Sequence, residues 1–206
     1  MTADATFWDR IAVKYAARPI KDMTAYEKTM ARTRAWLGAQ DNVLELGCGS
    51  GSTALLLAPD LGKITATDIS GGMIAIGKEK AAAQGASNIE FMQATTHDPR
   101  LLPESYDTVL AFNLLHLIED LDQSLSRVHT LLRPGGLFIS KTVCLGNALH
   151  FKAMVWVMQK FGRAPFVRFM DVPELEAALG SKGFEIVETG NYPAKPISRF
   201  IVARKI

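Results

Sequence analysis

Cysteine is scarce in this chain: of 206 residues only Cys48 and Cys144 carry a thiol, far apart and with no CxxC or Cys/His spacing around either. A disulfide framework and a metal site therefore lack support, and two buried, reduced thiols are expected. An excess of one charge is also lacking. The 23 basic residues stand against 21 acidic ones, a formal charge of +2, so no surface built mainly for nucleic acid is expected. Nowhere do about 18 apolar residues run together, and Met1 to Arg10 carries acids early with no apolar h-region. No stable membrane insertion and a cytoplasmic location are the expectation. Internal repeats and low-complexity tracts are missing as well.

What the chain does have is apolar material, 48% of its residues, enough for one domain with a full core and too little length for two. Short runs rich in Val, Ile and Phe recur at Val43–Leu46, Ile64–Thr67, Ile89–Met92, Thr108–Phe112 and Leu137–Ser140. Each reads as a strand. Stretches with helical spacing, such as Met73–Gln84 and Ser124–Leu132, lie between them, which implies βαβ units, right-handed crossovers and a parallel sheet. Ser70 is placed to cap a helix, and Arg133-Pro134-Gly135-Gly136 to stop one and turn into the fifth strand. Asp171 and Glu174 form a capping pair around Pro173, ahead of a helix to Leu179. Two last runs, Phe184–Thr189 and Arg199–Ala203, are joined by the proline-rich residues 190–196, too short for a crossover helix, and so form an antiparallel hairpin.

The predicted fold is α/β: a doubly wound, Rossmann-like, mostly parallel seven-stranded sheet with a C-terminal antiparallel hairpin strand. Residues 1–206 form one domain. Within it, residues 1–40 are a helical cap, with Phe7–Tyr15 and Tyr26–Leu37 lying across the ligand-bearing edge of the sheet. Residues 41–142 are a ligand-binding core, 146–170 an insertion, and 171–206 the terminal helix and hairpin.

The strongest chemical signal is Val43 to Thr53, a strand, a glycine turn and a helix start. Glycines at 47, 49 and 51, directly after an apolar strand, do more than turn the chain, because such a turn lets a ligand approach the backbone. Gly49, Gly51 and Ala54 formally satisfy the G-x-G-x-x-G/A dinucleotide pattern, with Asp68 at about the expected interval, so spacing alone does not exclude NAD. Charge separates the two ligands better. Glu45 at the mouth of the first strand repels a pyrophosphate but suits a ligand carrying an ammonium or sulfonium.

In these segments the chain resembles the class I S-adenosylmethionine-dependent methyltransferases, in particular the small-molecule (type 11) branch with the quinone-biosynthesis methyltransferases. The matching residues run in order: 45–51, Thr67-Asp68-Ile69-Ser70 with Met73-Ile74, Asn88–Phe91, Tyr106-Asp107 with Asn113–His116, and Leu131–Gly136. The resemblance implies S-adenosylmethionine as cofactor and a small molecule as methyl acceptor. It implies that the loop of Gly47, Cys48 and Gly49 packs on the methionine part, with the Gly47 carbonyl facing its ammonium. Asp68 would hold the ribose hydroxyls, Ile69 would pack on adenine, and the backbone of Asn113 and the side chain of Tyr15 would face the cofactor. Where the family places a carboxylate for the adenine amino group, this chain has Thr95, with Asp98 further along a longer loop.

His116, three residues past Asn113, is the named candidate for a general base. Methyl transfer needs little covalent help, so positioning can carry the rate without a catalytic constellation. Two other readings compete. An NAD-dependent oxidoreductase needs a hydride-transfer constellation, and the chain has no Tyr-x-x-x-Lys. A noncatalytic cofactor-binding interaction subunit would keep the fold without turnover. In the 146–170 insertion, Phe151, Met154, Trp156 and Phe161 stand beside Lys152, Lys160, Arg163 and Arg168, with no acid from Thr142 through Met170. That composition suits a lid selecting a largely apolar, anionic acceptor, against a core-packed helix or a membrane-surface or dimer-forming one.

Overall fold

Five parallel strands need both faces covered, and the sequence supplies the helices that do it. The computed structural model describes residues 3–146 and 148–206, without the side chains of Ala3, Leu149 and His150. Its strands are β1 (Asn42–Leu46), β2 (Lys63–Asp68), β3 (Ile89–Gln93), β4 (Tyr106–Phe112), β5 (Leu132–Val143), β6 (Phe184–Asn191) and β7 (Ser198–Lys205). They form one sheet in the order β3-β2-β1-β4-β5-β7-β6. The first five strands are mutually parallel, and β7 runs antiparallel to both neighbours, β5 and β6.

The helices are α1 (Ala3–Ala16), α2 (Met23–Arg34), α3 (Ser52–Leu57), α4 (Gly71–Gln84), α5 (Leu121–Leu131), α6 (Leu149–Lys160) and α7 (Val172–Gly180). On one face of the sheet, Leu125 and Val128 of α5 and Leu175 and Leu179 of α7 pack with Leu44, Val109 and Phe138. On the other, Met30 of α2, Ala54 and Leu57 of α3 and Ile74 of α4 pack with Val43, Ile64 and Leu110. The central strands β1 and β4 are therefore buried on both sides. No helix of the described residues is long and apolar enough to cross a membrane.

Local chemistry sets several boundaries. Ser70 Oγ accepts the Met73 N–H at 3.1 Å and starts α4, and Asp171 with Glu174 forms a reciprocal capping box for α7. Asp120, rather than a residue nearer Ser124, caps α5 by accepting the Gln123 N–H at 2.9 Å. β5 begins before Leu137: Leu132 already pairs with Tyr106, and the register then jumps to Thr108 and Leu137. The residues between, including Gly135 at φ 74°, form a bulge in the strand. The crossover from β3 to β4, residues 94–105, contains no helix.

Order along the sheet fixes where a ligand can enter. From β1 the chain moves outward to β2 and β3, then returns to β4 on the other side of β1. The carboxyl ends of β1 and β4 thus flank the switch point of the sheet, where an open crevice forms. Two N-terminal elements lie against that edge. Asp9 of α1 accepts the Ser70 hydroxyl at 2.6 Å and the Gly72 N–H at 2.9 Å. In α2, Arg32 makes a bidentate pair with Glu188 of β6 at 2.7 and 2.6 Å, and Trp36 Nε1 joins the same carboxylate at 2.6 Å.

Candidate active site

β1 ends at Leu46 because Gly47 turns left-handed, at φ 64°, and Gly49 does so again at φ 53°. A methyl group added at Gly47 would lie 2.7 Å from Leu114, whereas one added at Gly49 would meet nothing within 4 Å. The backbone at 49 therefore faces open space that any side chain would fill, which is what close approach of a ligand to the loop requires. The Cys48 N–H donates to the Thr67 carbonyl at 2.9 Å and pins the loop to β2. Asp68 completes the anchoring: Oδ2 accepts the Gly49 N–H and Oδ1 the Ser70 N–H, both at 2.9 Å.

Between this edge and the helices α1 and α2 lies a cleft of about 830 Å³, within the range of small-molecule sites. Tyr15, Glu45, Gly47, Cys48, Gly49, Asp68, Ile69, Thr95 and Asn113 all line it. His116 does not. Its imidazole is half-buried, its buried Nδ1 has no partner among the described residues, and desolvation pushes its pKa down to about 4. Asp98 is also off the wall. It pairs with Arg100 at 2.7 Å, and those hydrogen bonds hold its carboxyl down at about 2.

No described residue of the 146–170 segment lines the cleft, and Asn147 within it lies outside the described residues. Helix α6 exposes Phe151, Met154, Trp156 and Val157, and Phe161 just after it is exposed too. The chain after it is tied down: Phe166 N–H reaches Asp4 at 3.4 Å and Arg168 N–H the His116 carbonyl at 2.7 Å. The cover over the cleft comes instead from α1, α2 and their connection, through Trp8, Ile20 and Tyr26. Lys141, at the carboxyl end of β5, is a further wall residue that the sequence reading missed, because it lies one position past the predicted strand end. A second depression, along β2 and β3, holds Lys63 and Glu90. These pair with each other at 2.9 Å, leaving no unmatched charge between them.

The electrostatics of the cleft are set by two carboxylates. Glu45 is 2% exposed, and burial, reinforced by the charge of Asp68, pushes its pKa up to about 8 against the opposing backbone hydrogen bond of Ala54. Its Oε2 has no partner among the described residues. Burial likewise raises Asp68 and lifts the Cys48 thiol far from its reactive range. Among the described residues no cation pairs with either carboxylate. Glu45 keeps its proton below about pH 8 and an ammonium or sulfonium beside it draws the proton off, so this mouth, with Asp68 next to it, favours a cationic ligand and offers a pyrophosphate no counter-charge.

Residues 43–136 match a family model described as a methyltransferase domain. The chain is 32% identical over 163 residues, 72% of its length, to the hybrid PKS-NRPS synthetase mpsA of Macrophomina phaseolina, but spans only 4% of that protein. It is 28% identical over 183 residues to the demethylmenaquinone methyltransferase of Symbiobacterium thermophilum, covering 78% of this chain and 72% of that one. Among solved structures, Haemonchus contortus phosphoethanolamine N-methyltransferase 2, in complex with phosphomonomethylethanolamine and S-adenosylhomocysteine, superposes with a TM-score of 0.76. The identity is 18%, over 100% of this chain and 61% of that one.

Proposed function

We propose that this chain, whose residues 43–136 match a methyltransferase-domain model, is an S-adenosylmethionine-dependent methyltransferase that methylates a small, largely apolar acceptor. One observation carries the reading of the site: a left-handed glycine loop with an open face at Gly49, flanked by the buried Glu45 and the half-buried Asp68, neither paired with a cation among the described residues.

These residues fit the cofactor. Glu45 and the Gly47 carbonyl take the ammonium end, and Asp68 holds the ribose while keeping the loop in place. Ile69 and Thr95 border the adenine, and Tyr15, Cys48 and the backbone of Asn113 complete the wall. When bound, the cofactor supplies a methyl group on a positively charged sulfur, already activated for in-line displacement.

The protein's own part is positioning and water exclusion. Asn113 stands in the left-handed region at φ 55°, with its N–H donating to the Lys141 carbonyl at 2.7 Å. That contact couples the cofactor side of the cleft to the end of β5. On that side Phe112, Tyr26, Leu114 and Ile118 form apolar wall. The apolar acceptor thus rests on the cleft itself rather than on the 146–170 segment, and His116 stands behind the wall. Calorimetric titration with S-adenosylhomocysteine and with NADH tests the assignment. Tight binding of the first and weak binding of the second is expected, and the reverse order would favour the oxidoreductase reading.

A further inference from the structure

The carboxyl edge of the sheet presents four residues in strand order: Asp68 on β2, Glu45 on β1, Asn113 after β4 and Lys141 on β5. Neighbouring strands are about 4.8 Å apart, so Asp68 and Lys141 are separated by roughly 14 Å along one cleft. The strand-borne acids stand at the β2 and β1 end, and among the described wall residues the only strand-borne cation stands at the other, with Asp22 acting on it from the chain before α2.

Lys141 is poorly satisfied where it stands. Its Nζ makes a single hydrogen bond, to Thr29 Oγ1 at 3.5 Å, the outer limit for such a contact. The Thr29 hydroxyl already donates to the Ala25 carbonyl at 2.7 Å. Among the described residues no carboxylate lies within ion-pair distance of Nζ, and Asp22, on the cleft wall, acts on it only through space. An ammonium with three donors, half-buried and in register with Phe112 of the neighbouring strand, is short of acceptors. Burial lowers its pKa, as a cation without a counter-ion requires.

We propose that Lys141 is the anchor for a negatively charged oxygen of the methyl acceptor, such as a carboxylate, phenolate or enolate carried on an apolar body. The proposal rests on the methyltransferase reading for the word acceptor, but not for the subsite itself. An oxyanion at Lys141 gains a charge-assisted bond in a half-dry wall, while its apolar body lies on Tyr26 and Phe112. The far end, with Asp68 and the protonated Glu45, offers that group no cation, so the acceptor is favoured with its oxyanion toward Lys141.

The test uses naphthoate and its uncharged isostere naphthamide, titrated into the protein with and without S-adenosylhomocysteine. The wild type is expected to prefer naphthoate by roughly tenfold to a hundredfold. Lys141→Met should abolish that preference while leaving S-adenosylhomocysteine affinity unchanged, Lys141→Arg should retain it, and Lys21→Met, at the cleft rim, should also retain it. No preference in the wild type, an undiminished preference in Lys141→Met, or joint loss of both ligands in Lys141→Met would each overturn the proposal. Failure of the wild type to bind S-adenosylhomocysteine would instead remove the cofactor assignment, and the naphthoate ratio would still report on Lys141.

Discussion

Replacing Glu45 by Gln isolates the buried carboxyl of the cleft. The folded protein holds a proton on Glu45 up to about pH 8, whereas the unfolded chain releases it near 4.5. Between those values the native state binds one more proton than the unfolded state, so this group's contribution is fully present below 4.5 and is lost as pH rises to 8. The slope is about 1.4 kcal/mol per pH unit. His116 titrates with the opposite sign, but its window runs from 6.5 down to about 4. Above pH 6.5 Glu45 therefore acts without it, and unfolding free energy should drop by roughly 2 kcal/mol between pH 6.5 and 8. Glu45→Gln, which keeps the shape and removes the charge, should flatten that slope and be more stable than wild type at pH 8. Urea unfolding at a series of pH values measures both. A ligand ammonium beside Glu45 should also expel its proton, so S-adenosylhomocysteine binding at pH 7 should release protons in wild type and not in Glu45→Gln. Calorimetry in buffers of different ionisation enthalpy reads this directly. Equal slopes in the two proteins and no proton release would refute the reasoning.

Asp68→Ala should weaken S-adenosylhomocysteine binding about tenfold to a hundredfold, from the loss of charge-assisted bonds of roughly 1.5–3 kcal/mol. It also strips the Gly49 and Ser70 N–H groups of their acceptor, so the melting temperature should fall too, and an unchanged dissociation constant would release Asp68 from the ribose role. His116→Phe should leave cofactor affinity and turnover near wild type and remove the stability loss between pH 6.5 and 4, where the half-buried neutral ring must take up a proton. A turnover loss of about 10²-fold or more would instead put the imidazole at the acceptor. Trp156→Ala, on the exposed face of α6, should change stability by no more than about 0.5 kcal/mol and leave S-adenosylhomocysteine affinity unaltered. Slowed hydrogen exchange across α6 on adding that ligand would show that the helix closes over the cleft.

Much of the fold was legible because each of its parts obeys a local rule. The buried strands read as apolar runs, the hairpin as two runs without a helix between them, and the caps at Ser70 and Asp171 as short-range signatures. The start of β5 was not legible, since the pairing of Leu132 with Tyr106 depends on another strand. The cofactor side follows the same logic. It is built at one strand and its turn, so its glycines and Glu45 lie within a few residues of one another, and Asp68 stands at the end of the next strand. The docking that holds it, Asp9 on Ser70 and Gly72, crosses more than sixty residues and leaves no sequence pattern. The acceptor side is harder still, because α1, α2, β4, β5 and the β6–β7 loop each contribute only a residue or a few, and none stands out alone. Lys141 illustrates why. In sequence it is an ordinary lysine closing a strand, and its significance comes from what surrounds it: an ammonium with one marginal hydrogen bond, no carboxylate within ion-pair distance among the described residues, and a wall shared with Asp68 and Glu45 at the opposite end. A cofactor gripped by backbone can be read from a motif, whereas an acceptor gripped by side chains from several elements is read only from the charges that folding leaves unmatched.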